Sequence, residues 1–263
     1  MNATVEWIAA HALLLWALLL MLALLAGDLA WRHNARWQRR ATRLGHAPTM
    51  LRWRIGVLLW LALALFFAGI ALSISGQQTT GLGGFDASLA AGLRAHLSLP
   101  ALRMIAAITH LGDTLWVAGA AAVVLLVLLL RRCWQLALAW CVALCGILPI
   151  NGGLKALFKR MRPLHDHGFL IEPGWSFPSG HAFGAMVFYG MLAYVLLRLS
   201  PRFHRAIIAA AILLTGVIGI SRILLQVHYF SDVLAGYAAG GAWLVLCIGT
   251  VEILRHPRRG ATP

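Results

Sequence analysis

The sequence is short of acid. Eight Asp and Glu residues stand against 22 Lys and Arg in 263 positions, and charged residues of either sign make up 11%. A soluble domain is about a quarter charged, so an ordinary cytosolic fold and a disordered chain are both excluded. Lysine is scarce too: apart from Lys155 and Lys159, the basic residues are arginines. The four cysteines, Cys133, Cys141, Cys145 and Cys247, lie in apolar segments at spacings that suit neither a disulfide framework nor a zinc site. Carboxylates are too scattered to form a magnesium cluster. No internal repeat suggests an inverted-repeat transporter.

What the chain has is hydrocarbon. Hydrophobic residues make up 61%, which predicts an all-α, polytopic membrane bundle. The formal charge of +14 would also suit a nucleic-acid binder. Such proteins do not carry several long apolar stretches, so no nucleic-acid partner is expected. A spanning helix needs about 20 apolar residues. Seven stretches qualify, near 7–28, 54–75, 112–130, 134–152, 180–198, 206–225 and 232–252. Glu6 precedes the first apolar run and Arg32, Arg36, Arg39, Arg40 and Arg43 follow it. This is the reverse of a signal peptide and predicts an uncleaved first helix.

Alternate connections then sort by charge. One side gathers 15 basic residues, between Arg32 and Arg54, at Arg131 and Arg132, at Arg198, Arg202 and Arg205, and in a tail with Arg255, Arg258 and Arg259. The other side holds seven. The positive-inside rule makes the first side cytoplasmic. Most of the net charge therefore encodes orientation. Trp7, Trp31, Trp53 and Trp175 fall near span ends and read as interfacial anchors. In the outer connection 76–111, Phe85, Leu89, Leu93 and Leu97 recur every fourth residue. They predict an amphipathic helix that either lies on the membrane surface or packs over the bundle.

Two outer connections hold the reactive residues. One runs from Lys155 through Arg162-Pro163 to Pro178-Ser179-Gly180-His181; the other runs from Ser221-Arg222 to His228 and Asp232. Lys155, Arg162 and Arg222 are cations near membrane depth with few acids beside them, and arginine suits a phosphate. Ser179 reads as an N-cap, with free N–H groups at Gly180 and His181 for an anion. His228 and Asp232 are four apart. If the last helix has already begun, Asp232 holds one imidazole nitrogen and leaves the other nucleophilic. His181 can protonate a leaving oxygen. A metal-free route is expected.

These motifs closely resemble those of the type 2 phosphatidic acid phosphatase family, which shares them with vanadium haloperoxidases. The resemblance covers roughly 54–252 and includes every motif position, with Phe85-Asp86 and Leu111-Gly112-Asp113 similar to weaker patterns of bacterial members. It implies a six-helix core plus an extra N-terminal helix: residues 1–53 as span and basic loop, 54–254 as phosphatase domain and 255–263 as tail. It implies that Lys155, Arg162, Ser179, Gly180 and Arg222 hold phosphate, that His228 forms a phosphohistidine, that His181 is the general acid and that Asp232 orients His228. It implies no cofactor and no metal. The implied place is a bacterial inner membrane, with the site facing the periplasm. The leading substrate is undecaprenyl pyrophosphate, with phosphatidic acid, phosphatidylglycerol phosphate and lipid A as rivals. Lipid phosphotransfer, and transport of a lipid or anion, are the alternatives in kind. Nothing in the sequence sets an oligomeric state.

Other residues invite blander readings. His165, Asp166, His167 and Glu172 read first as a solvated loop and second as head-group selectors or gates to the site. Lys159 and Arg160 read as exposed loop charge or as attractors of an anionic substrate. Asp113 reads as a helix cap, and Gly236 and Gly240 as packing positions within the bundle.

Overall fold

A computed structural model describes residues 3–44, 49–76, 81–96, 98–164 and 172–255. His165, Asp166, His167, Leu97, Arg258 and Arg259 lie outside these. The helices are α1 (Ala3–Ala10), α2 (Ala12–Arg43), α3 (Trp53–Gly76), α4 (Gly81–His96), α5 (Leu99–Thr109), α6 (Thr114–Leu130), α7 (Trp134–Cys145), α8 (Ile147–Phe158), α9 (Gly180–Leu199), α10 (His204–Leu224) and α11 (Phe230–Arg255). No strand occurs among the described residues. Among the described residues, six helical stretches are long and apolar enough to cross a membrane, and a seventh is reached if the bent pair Leu99–Gly112 and Thr114–Leu130 counts as one span.

The apolar runs explain both the helices and their placement. Alanine- and leucine-rich sequence has high helix propensity, and in hydrocarbon every backbone N–H must be satisfied within the segment. The core gathers on α9, which packs against α10 and α11, while α11 also packs on α3. Phe183, Val187, Met191 and Trp140 are almost wholly buried there. Gly236 and Gly240 let α11 close on α9. A Cβ at Gly236 would stand 2.7 Å from the Ser179 carbonyl oxygen, and one at Gly240 would stand 2.8 Å from that of Phe183. The pair therefore serves contacts inside the bundle, as its sequence suggested.

Several boundaries differ from the sequence reading. The first apolar run becomes α1 and α2, and α2 continues to Arg43, so the arginines from Arg32 to Arg43 ride on helix rather than on a loop. None of α2 is buried; it touches α10 through Gly27 and Gly216 and turns leucines outward, as a lipid-facing helix does. The fourth span runs on to Phe158, broken at Gly146, where Trp243 fills the place of a Cβ. The open choice for 76–111 resolves toward packing: α4 buries Asp86, Leu89 and Leu93 against α1, α10 and α11. The short helix α5 has no counterpart in the sequence reading.

Candidate active site

Three chain segments converge at one end of the bundle. The end of α8 and the stretch 159–164 bring Lys155, Arg160 and Arg162; the approach to α9 and its first residues bring Ser176, Ser179, Gly180 and His181; the turn between α10 and α11 brings His228, and the first turn of α11 brings Asp232. Lys155, Arg162, Gly180, His181 and His228 all line a cavity of about 460 Å³, together with Glu172, Asn151 and Gly112. Its remaining wall is apolar, with Val117, Ala118, Ala121, Leu144 and Leu148 from α6 to α8. Ser179, Arg222 and Asp232 do not line it; they stand fully buried around it.

His228 lies two residues before α11 begins, so it does not share that helix with Asp232 as the spacing had suggested. The contact is made by the turn. The Tyr229 N–H donates to Asp232 Oδ2 at 2.9 Å, and His228 Nδ1 sits 3.5 Å from the same oxygen. Between them stands Ser176: its hydroxyl lies 3.3 Å from His228 Nδ1 and donates to Asp232 Oδ2. Nδ1–H can thus donate to Ser176, which leaves Nε2 unprotonated. Arg162 Nη1 lies 3.2 Å from that Nε2. Burial pushes the His228 imidazole down to about 3; the Asp232 carboxylate opposes that shift, and Arg162 and Arg222 add to it. Imidazole titrates near 6.5 when free, so His228 is neutral throughout the physiological range.

The cations divide into held and waiting groups. Arg160, read from sequence either as exposed loop charge or as an attractor of an anionic substrate, is 7% exposed. It donates to Asp232 Oδ1 and Ser231 Oγ at 2.7 Å each and to Asp86 Oδ2 at 2.8 Å. Burial works against its charge, but those two carboxylates outweigh burial and raise its pKa. Arg162 instead rests on carbonyls of Pro173, Gly174, Trp175 and Val227. Burial and the nearby Arg222 lower its pKa. Lys155 Nζ reaches the Trp175 carbonyl at 2.8 Å. Arg222 bonds Thr109 Oγ1 at 3.0 Å and pairs with Glu172, while its Nε has no partner. Glu172 is therefore no free loop acid: burial raises its pKa, and Arg222, His181 and Arg162 together more than reverse that.

Asp113 also departs from its expected role. It occupies the N-cap position of α6 without a side-chain capping bond. Its carboxylate lies 3.0 Å from His181 Nε2 and 2.6 Å from His110 Nδ1 instead. Ser179 does cap α9, accepting from the Ala182 N–H at 3.4 Å. Asn151, one turn before Lys155 on α8, has a buried Oδ1 with no partner on the cavity wall. Among the described residues, no group of three or more His, Cys, Asp or Glu could hold a metal ion.

Residues 134–255 match the sequence model described as the PAP2 superfamily. Phosphatidylglycerophosphatase B of Bacillus subtilis (strain 168) is 33% identical over 114 residues, which are 42% of this chain and 55% of that protein. Lipid A 1-phosphatase of Rhizobium etli is 37% identical over 107 residues, 37% of this chain and 42% of that one. The chain thus spans about half the length of the curated relatives it matches. A solved structure of a transmembrane PAP2 type phosphatidylglycerolphosphate phosphatase from Bacillus subtilis superposes with a TM-score of 0.68 at 25% identity, covering 77% of this chain and 98% of that one. The fold is that of a polytopic helical membrane protein. The likeness to the PAP2 superfamily covers residues 134–255, a little under half of the chain.

Proposed function

We propose that the chain is a membrane phosphatase that cleaves a lipid phosphate or pyrophosphate through a phosphohistidine at His228. One observation carries the reading: a neutral His228, backed by Ser176 and Asp232, opens with Lys155, Arg162 and His181 onto a cavity whose far wall, from α6 to α8, is mostly apolar. A soluble phosphoester has no use for such a wall, whereas a lipid chain does.

The chemistry follows from the positions. A phosphoryl group drawn in by Lys155 and Arg162, and taking the place of Glu172 on Arg222, displaces the Arg162 contact from Nε2. The Nε2 lone pair attacks phosphorus, the bond to the leaving oxygen breaks, and His181 supplies the proton that oxygen needs. The three cations and the first N–H groups of α9 meet charge on the equatorial oxygens. His181 then takes a proton from water, whose oxygen attacks the phosphohistidine, and phosphate leaves. Asp113 stabilises His181 while it is protonated.

The positive-inside sorting of the charges supports a periplasmic face for this end of the bundle. Undecaprenyl pyrophosphate is the substrate we place first. Phosphatidylglycerol phosphate is the second reading, favoured by the likeness to the Bacillus subtilis structure. The test is phosphate release by the purified protein in detergent, with EDTA present, across undecaprenyl pyrophosphate, phosphatidylglycerol phosphate, phosphatidic acid and lipid A. We expect release from at least one, lost by about 10⁴-fold or more in His228→Ala. Turnover persisting in that variant would sink the mechanism. Lipid binding without turnover in the unaltered protein would favour a transporter, and release that requires a lipid acceptor would favour a phosphotransferase.

A further inference from the structure

Behind the cavity lies a second layer of charge. Asp86 on α4 is 1% exposed, in a chain with eight acids in all. Its Oδ1 accepts the Ser231 N–H at 3.1 Å, and its Oδ2 accepts Arg160 Nη2 and the Ser231 hydroxyl. Arg160 turns its other terminal nitrogen to Asp232 Oδ1 and Ser231 Oγ and lies with Cζ 4.3 Å from the Tyr229 ring centroid. Each oxygen of Asp232 therefore has a separate task. Oδ1 is held by Arg160, and Oδ2 accepts Ser176 and Tyr229 beside His228. A planar guanidinium can bridge two carboxylates in one fixed geometry, which an ammonium cannot.

We propose that Arg160, seated on Asp86, is a positioning residue: it locks the orientation and charge of Asp232 and so aims the His228 imidazole at phosphorus. Two buried carboxylates and one cation are a poor way to gain stability, because desolvation offsets most of the attraction. Burial alone pushes the Asp86 carboxyl upward in pKa, against the pull of Ser231 and Arg160. Their placement against the residue that backs the nucleophile gives the arrangement a use. It also ties the reactive turn to α4, an element outside the matched segment 134–255.

The inference rests on His228 as the nucleophile, and the experiment separates the two. Arg160→Lys, Asp86→Asn and His228→Ala are purified in detergent, and kcat and KM are measured per mole of folded, monodisperse protein. Asp86→Asn keeps the volume but must turn its NH2 toward either the Ser231 N–H or Arg160. We expect Arg160→Lys to lower kcat about 10–100-fold and Asp86→Asn about tenfold, each with KM within about threefold, as when a partner that orients a reacting group is lost. A single-turnover measurement should place the loss in formation of the phosphoenzyme. Folded variants with kcat within about twofold of the unaltered protein would overturn the proposal. So would failure of both to fold, since that assigns the network to stability alone. Activity surviving in His228→Ala would instead remove the reading beneath it.

Discussion

The two ends of α11 hold the same chemistry under opposite terms. Asp232 and Glu252 lie 20 residues apart on it, roughly 30 Å of helix. At the far end, Glu252 is 2% exposed and fully occupied: Oε1 accepts Tyr194 and Arg198 at 2.6 Å each, and Oε2 accepts the Met50 N–H at 2.8 Å. One cation meets one carboxylate, and the cluster fastens the 49–52 segment and α9 to α11. At the near end the account stays open. Lys155 and Arg162 lean on carbonyls, Arg222 Nε and Asn151 Oδ1 have no partner, and Glu172 is the acid paired with Arg222. Leaving buried polar atoms unpaired costs about 1–3 kcal/mol each. A closed cluster explains itself by stability, whereas an open one needs a visiting ligand.

The strongest way to break this comparison is Arg222→Gln. If Arg222 waits for an anion, kcat/KM for phosphate release falls by about 10²–10³-fold, as for loss of one preorganised donor. The thermal midpoint in detergent should fall only modestly, because the amide keeps a donor for Thr109 or Glu172 while the ion pair with Glu172 is lost. Activity retained within tenfold, or a collapse of stability, would place Arg222 with Glu252 as a structural ion.

Glu252→Gln is the mirror experiment, with a smaller effect. It should cost about 2 kcal/mol of stability through weaker bonds to Arg198 and Tyr194. Its kcat per folded protein should stay within about twofold. A matching loss of kcat would mean that the two ends are coupled along α11.

The sequence exposed these two ends unequally. The residues that gather around the cavity were readable because they sit in short motifs at helix edges, and the spans because apolar runs of sufficient length leave the backbone one solution. The hidden part is what crosses the chain. Arg160 meets Asp86 and Ser231 across separations of 74 and 71 residues, and Ser176 reaches Asp232 across 56. No local period announces such pairs. One signal did exist. Asp86 falls on the same helical face as Leu89 and Leu93, and an acid on an apolar stripe is costly without a partner. Asp113 was misread because the N-cap position explained it by itself, and only the turn at 110–112 shows its carboxylate swung toward His181. Gly146 and the extension to Phe158 were missed since apolar sequence continues through both.

The smallest effect sharpens the comparison through pH. His228 is held neutral by burial, with a folded value of about 3 against about 6.5 in the unfolded chain. Above pH 6.5 neither state binds the proton and the group is silent. As pH falls below that, the unfolded chain takes up a proton that the folded one refuses, so stability is lost down to about pH 3. The slope is at most about 1.4 kcal/mol per pH unit, and roughly 1.4 kcal/mol disappears between pH 7.5 and 5.5. Melting in detergent should therefore fall more steeply with acid in the unaltered protein than in His228→Gln. Titrating groups remote from His228 are shared and cancel in the difference. Glu252→Gln should keep the steep slope, because its cluster contains no imidazole. Parallel pH profiles for the unaltered protein and His228→Gln would mean that water already reaches the imidazole in the resting site. The near end would then be open to solvent as well as to ligand.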